Sequence, residues 1–231
     1  MGYTREKICS DCEKAFENKS TFYKQNFINY RGKTTDTKEY YTEVIAEFLC
    51  ERIDEYVRGI TCISRKSSYK TEGHEGVHKD NTIRKEEKIA MEIFQQSRDH
   101  GAFELIGDIL DYQTPMKSTA KNEVGKIDLL SFDGQVMRIL ELKKQDSQET
   151  MLRCVLEGFT YMKTADCEKL ISDFGYDPLK VTVEASPFVF YGSEQHKEMT
   201  QERPYLRKLM QLLNSKPFYI VEREMYAVVD G

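Results

Sequence analysis

No apolar run in this chain approaches the ~20 residues that cross a bilayer, so a spanning helix and a membrane partner are not expected. The opening residues, MGYTREKICSDCEKAF, carry charges where a signal peptide carries an apolar core. Glu6 stands where a myristoylation pattern wants Ser or Thr, and a cytoplasmic protein is the expectation. Positive charge is not in excess either. A net charge of −5 and a pI near 5.6 argue against a chain coated for bulk nucleic-acid binding. A local basic groove stays compatible with that balance, and acids that hold a metal would themselves lower the pI. Six cysteines are present (Cys9, Cys12, Cys50, Cys62, Cys154 and Cys167), but no second ligand pair matches the C-x-x-C of Cys9 and Cys12, as a structural zinc site requires. Reduced thiols fit a cytoplasmic chain better than a disulfide framework. Internal repeats and low-complexity tracts are missing as well.

What remains is a globular composition. The 231 residues are 39% hydrophobic, 32% charged and 11% aromatic, enough for one large domain or one domain with an appendage. Residues 1–35 are polar and aromatic with weak periodicity. Over 38–58, Tyr41, Val44, Ile45, Phe48, Leu49, Ile53 and Tyr56 fall at helical spacing, stopped by Gly59. The polar stretch SRKSSYKTEGHEGVHKDN follows as a loop or linker. Beyond it the pattern predicts a helix over 82–98, strands over 102–112, 126–132 and 135–143, and a helix over 148–163. A short helix to Phe174, a strand over 180–191, a helix over 203–214 opened by Pro204 and a strand pair over 218–229 complete the order. That succession is an α/β sheet sandwiched by helices.

Asp133-Gly134 is a strong hairpin signal between the second and third strands. As a two-residue type I′ turn it pairs Phe132 with Gln135 and sets Asp128 across from Ile139, with Glu141 as its diagonal neighbour at ~7–8 Å. Asp128, Glu141 and Lys143 then share one face, an inference that depends on turn length. Two carboxylates so placed suit Mg²⁺, which takes oxygen ligands and keeps several waters. A lysine beside them can orient or deprotonate a water and neutralise charge developing on a phosphate. The bland alternative is an edge pair of Glu141 and Lys143 worth ~0–1 kcal/mol. Arg153 and Glu157 are spaced as an ordinary helical ion pair.

Gly125-Lys126-Ile127-Asp128 followed by Glu141-Leu142-Lys143 resembles the PD-(D/E)xK nuclease superfamily, over roughly residues 82–192. The proline before the first Asp is absent. The resemblance implies a restriction-endonuclease-like mixed central sheet flanked by helices, with core order α-β-β-β-α-β. Residues 1–80 would be an N-terminal helical extension and linker, and 81–231 the nuclease core. It implies Mg²⁺ (with Mn²⁺ able to substitute) on Asp128, Glu141 and the Leu142 carbonyl, and Lys143 as the catalytic lysine. A further acid on the first core helix is expected at Glu86, which falls among Ile89, Ala90 and Ile93, with Glu87 its competitor at the stripe's edge. DNA, single- or double-stranded, is the expected partner, and a homo-oligomer stays open. The lysine-rich segments around Lys117, Lys121 and Lys126, and around Arg65, Lys66 and Lys70, are candidates for phosphate contacts, with a solvated surface face the readier reading of any single one. The alternative is a non-catalytic nucleic-acid-binding or scaffold module keeping the fold. His74-Glu75-Gly76-Val77-His78 also satisfies the zinc-hydrolase H-E-x-x-H, but Gly73 and Gly76 and the lack of an apolar stripe speak for a loop there.

Overall fold

Leu140 and Leu142 point to one side of a central strand and Ile139, Glu141 and Lys143 to the other, and this alternation sorts the molecule into two different layers. The computed structural model describes residues 2–71, 85–116 and 125–230. The chain opens with α1 (Arg5–Ala15), two 3₁₀ turns (Lys19–Lys24 and Asn26–Asn29), α2 (Tyr41–Glu51) and α3 (Ile53–Arg58). Then come α4 (Lys85–His100), β1 (Asp108–Pro115), β2 (Lys126–Phe132), β3 (Val136–Lys143), α5 (Met151–Thr164), α6 (Cys167–Asp173) and β4 (Thr182–Phe190). The chain ends with α7 (Glu194–Met199), α8 (Pro204–Leu212), β5 (Phe218–Glu222) and β6 (Tyr226–Val229).

The six strands form one mixed sheet in sequence order. β3–β4 and β4–β5 are parallel and the other pairs antiparallel. The fold is therefore α/β. Its α4-β1-β2-β3-α5-β4 succession follows the order read from the sequence, with α6 inserted before β4. On one face Ala90, Ile93 and Phe94 of α4 pack on Leu129, Leu140, Leu142 and Phe188. On the other face α5 packs on Ile139 and Val189, in one apolar cluster that also takes in Ile8, Phe22, Ile45 and Tyr56 from the N-terminal helices. Tyr69, in the polar stretch, is buried, donates its N–H to Asp173 and accepts from Asp166 N–H.

Three local expectations need correction. The helix expected over 38–58 breaks at Arg52, whose φ/ψ of −122°/24° leave the helical region. The first strand begins at Asp108, not 102, because Phe103 and Gly107 exchange backbone hydrogen bonds around Leu105 at φ 75°. The hairpin does not turn at Asp133-Gly134: Phe132 pairs with Met137 and Leu129 with Leu140, and Asp133 N–H donates to the Val136 carbonyl at 3.3 Å, so the turn lies one residue on, at Gly134-Gln135. Asp133 favours this by accepting the amides of Gln135 (3.0 Å) and Val136 (2.8 Å) while pairing with Arg138 at 2.6 Å, side-chain contacts that place Asp133 before the turn rather than in it. The register moves by two residues, an even number, so every side chain keeps its face.

Candidate active site

Pairing between β2 and β3 runs from Phe132/Met137 to Leu129/Leu140 and stops there. The next residues along are Asp128 and Glu141, which the corrected register sets directly opposite each other rather than diagonally. Where the ladder stops, the Leu142 N–H is taken by the Asp128 carboxylate, at 3.0 Å from Oδ2. N–H and C=O of one residue point to the same side of a strand, so the Leu142 carbonyl is directed to the Asp128 side as well. The Leu142 side chain lies in the α4 layer, so only its backbone serves this place. Oδ1 of Asp128 accepts from Gln113 Nε2 at 3.1 Å. Gln113 sits in the left-handed region at φ 50°, a strained conformation for a residue with a side chain.

Glu141 and Lys143 are buried (3% and 5% exposed), so the surface-pair alternative does not apply. Lys143 Nζ lies 2.7 Å from Glu141 Oε1, 2.8 Å from Glu149 Oε2 and 3.4 Å from Glu157 Oε2. Glu157 also pairs with Arg153 Nε at 3.1 Å, as its spacing predicted, and accepts from Tyr161 OH at 3.1 Å. Arg153 is itself held by Tyr23 of the first 3₁₀ turn, whose carbonyl it meets and whose ring lies 4.7 Å beneath its guanidinium. The N-terminal segment thus braces the site from behind.

Cys154, Glu157, Gly158 and Tyr161 form the sheet-facing stripe of α5 at i, i+3, i+4 and i+7. Cys154 Sγ lies 3.3 Å from the Glu141 carbonyl oxygen, and a Cβ at Gly158 would come within 3.3 Å of Glu141 Cβ. Gly125 has the same reason for being glycine, since a Cβ there would sit 2.2 Å from Tyr161 OH. The first glycine of the G-x-I-D segment therefore makes room for the tyrosine that holds Glu157.

Glu86 Oε1 accepts from Lys144 N–H at 3.3 Å, and its charge acts on Asp128; the charge of Glu87 acts on Tyr112 instead. Among the described residues, five carboxylates (Glu86, Asp128, Glu141, Glu149, Glu157) therefore face two cations, Lys143 and Arg153. Burial pushes the Asp128 pKa up to about 7, with the Lys143 charge opposing and Glu86 adding to the rise. Burial and then the Glu157 charge push Glu141 well above the carboxylate range. Glu157 stays on the ionised side, because Lys143 and Arg153 outweigh its burial. Burial alone would lower the Lys143 pKa, but Glu141, Glu157 and Glu149 hold it well above that of an ordinary lysine. The charge deficit accounts for both directions: the ammonium keeps its proton, and the surplus carboxylate wants either a proton or a cation. Among the described residues Glu141 Oε2 is buried with no hydrogen-bond donor.

That orphaned oxygen and the missing positive charge fit a hard divalent cation. Among the described residues no three Asp, Glu, His or Cys side chains form a ready cage. Asp128 and Glu141 would hold the ion, with the Leu142 carbonyl and water completing the shell, as Mg²⁺ accepts. The other expected contacts divide. Arg65 is buried, and its guanidinium is spent on the carbonyls of Ser67 and Ser68. Lys66, Lys70 and Lys126 are exposed. Lys117, Lys121 and the whole of His74-Glu75-Gly76-Val77-His78 lie outside the described residues. Among the described residues no helix is long and apolar enough to cross a membrane. Comparison with protein-family models, curated proteins and solved structures finds no match for this chain.

Proposed function

We propose that the chain is a Mg²⁺-dependent nuclease, with Mn²⁺ able to substitute, that hydrolyses phosphodiester bonds of DNA on a PD-(D/E)xK-like, restriction-endonuclease-like core. The observation that carries this reading is the buried Glu141–Lys143 pair beside Asp128, placed where the β2–β3 ladder opens. Protein interiors seldom keep such charges without a task or a ligand. DNA rather than RNA follows from the superfamily resemblance alone.

Bound there, the cation would supply Lewis-acid polarisation and a water made acidic enough to attack at neutral pH. The protein's own contribution is positional and electrostatic. Leu142 N–H and Gln113 fix the Asp128 carboxylate, and Arg153 and Tyr161 fix Glu157. Lys143 stays protonated among its carboxylates, so it acts as a fixed positive charge for the developing phosphorane oxygens and as a donor that orients water. A general-base role is disfavoured by the same contacts.

The non-catalytic reading draws on one observation: Lys143 is already satisfied by three carboxylates. Incubation with single-stranded DNA, duplex DNA and RNA, with Mg²⁺ or Mn²⁺, separates the two. Cleavage by the wild type that is lost in Glu141→Ala and Lys143→Ala is expected. Equal trace cleavage by wild type and both variants would sink the nuclease reading.

A further inference from the structure

Tyr191 stands where the chain leaves β4, and its side chain is held in place although the residue is 58% exposed. Its N–H donates to the Ile220 carbonyl at 2.8 Å, and Gly192 turns the chain at φ 78°. Ser193 closes that turn by donating its N–H to the Phe190 carbonyl at 3.1 Å, and its side chain caps α7 by accepting from His196 N–H at 3.3 Å. The Tyr191 and His196 rings then lie 4.2 Å apart with their planes tilted by 42°. His196 in turn meets Tyr219 of β5 at 4.8 Å and 90°. Tyr219 belongs to the buried α5-face cluster, so three rings run from that cluster out to solvent. One face of Tyr191 is against His196, so its exposed area lies on the opposite face and the ring edge.

The sheet register places this open ring near the candidate active site, on the same face. Val189 pairs with Lys143 across the parallel β3–β4 ladder, and Tyr191 is two residues farther along the same edge. At ~4.8 Å between strands and ~3.3 Å per residue, the Lys143 and Tyr191 Cα atoms are ~8 Å apart. That is about two steps of the ~3.4 Å spacing along a stacked nucleotide strand. The helix behind the ring is also tied to the site. Buried Gln195 donates to the carbonyls of Ser147 (3.4 Å) and Glu149 (2.6 Å), and the Glu149 carboxylate lies 2.8 Å from Lys143 Nζ. Burial lowers the His196 pKa, so at pH 7 the imidazole is neutral and the stack offers π surface rather than charge. A flat ring matches such a surface better than a phosphate does. In a duplex the bases cover one another's faces and only their edges are open in the grooves. Only an unpaired base has a face to lay on Tyr191, and every base has one.

We propose that Tyr191 is a stacking platform for an unpaired base beside the scissile phosphate, which makes single-stranded DNA the substrate of the candidate active site. That the base belongs to the strand being cut rests on the nuclease reading; stacking on Tyr191 does not. The chain contains no tryptophan, so Tyr191→Trp introduces its single indole at this position. The test titrates that variant, in a Glu141→Gln background with Mg²⁺ present so that the strand stays whole, with a short oligothymidylate. Saturable quenching of the indole fluorescence is expected, and a blunt hairpin duplex of equal length should need about tenfold more to match it. With Tyr191 restored in the same background, fluorescence anisotropy of a labelled single strand reads affinity. Tyr191→Phe should bind within about twofold of that parent, and Tyr191→Ala about 5- to 100-fold more weakly. The indole signal reads stacking whether or not Tyr191→Ala folds as well as its parent. No saturable quenching, equal affinity for the blunt duplex, or parental affinity in Tyr191→Ala overturns the proposal. Tyr191-dependent binding in a chain whose wild type cuts nothing would keep the platform and sink the nuclease reading. Glu141-dependent cleavage at an unchanged KM in Tyr191→Ala, without quenching, would remove the platform and leave the nuclease reading intact.

Discussion

The two faces of β3 are built for opposite ends. On the α4 face Leu140 and Leu142 lie in an apolar cluster, and the one charge β3 adds to that side, Arg138, lies over Phe218 and is paired with Asp133 at the turn. On the α5 face the same strand contributes Glu141 and Lys143 to an interior that also encloses Glu157. Stability is a sum of burial terms on the first face. On the second it is a balance of desolvation against pairing, which a single removed partner upsets. The difference predicts that substitutions on the two faces differ in kind, above all in their dependence on pH.

Lys143→Met should be the most damaging change. It leaves Glu141, Glu149 and Glu157 facing one another, a loss of about 3–5 kcal/mol when they are ionised. At pH 5 the carboxylates take up protons and the loss shrinks. Urea melts at pH 5 and pH 8 measure this, and equal losses at both would show the cluster to be less desolvated than its geometry implies. Glu141→Gln should do the opposite: stability held or raised at pH 8, because one surplus charge is gone, and cleavage lost about 10²–10³-fold.

Leu140→Ala, one residue away on the other face, should cost about 2–5 kcal/mol through lost burial and a cavity. That cost should be the same at pH 5 and pH 8. A pH-dependent Leu140 effect would mean that the two layers are coupled and the comparison is too simple.

The sequence made this contrast visible only in part. The alternation of Leu140 and Leu142 against Glu141 and Lys143 is local, and Gly125-Lys126-Ile127-Asp128 marks the partner strand, so the shared face was legible. It survived a turn placed one residue too early because the resulting error in register was even. Helical spacing favoured Glu86 over Glu87 as the helix acid near Asp128 but did not decide between them. Glu149, the Glu157 link to Lys143 and the Gln113 contact were not legible, since they depend on how α5 and β1 dock. A signal for Glu157 did exist: with Cys154, Gly158 and Tyr161 it forms a second buried stripe on a helix that Leu152, Val155 and Leu156 already mark as apolar. The Tyr23–Arg153 contact joins residues far apart in sequence, and no local pattern announces it.

A smaller effect should come from Asp128. Folded, it keeps its proton up to about pH 7, while in the unfolded chain the proton leaves near the ordinary value of ~3.9. The folded state binds the extra proton between those values, so metal-free stability should fall as pH climbs through that window and level off above it. Mg²⁺ favours the ionised carboxylate, so the Tm gain it brings should grow over the same range. Asp128→Asn should remove both trends and raise the metal-free Tm at pH 8 by several degrees, at about 2–4 °C per kcal/mol for a chain of this size. A Mg²⁺-induced gain that persists in Asp128→Asn would place the ion elsewhere.

Gln113 should give the smallest change in stability and the most informative one. Its φ of 50° stores roughly 1–2 kcal/mol, which glycine would release. Its amide donates to Asp128, a bond worth about 1 kcal/mol that either glycine or alanine would lose. Gln113→Gly should therefore sit within about 1 kcal/mol of the wild type, once the extra freedom of unfolded glycine is counted. Gln113→Ala keeps the strain and loses the bond, so it should be the less stable of the two. Both variants strip a donor from the ionised form of Asp128, which should move the acid limb of the cleavage pH profile upward by similar amounts. If that limb moved with Ala but not with Gly, the strained backbone rather than the amide would be what positions Asp128. If it moved with neither, Gln113 would be a feature of the sheet edge alone, and the strain at φ 50° would owe nothing to the α5-face cluster.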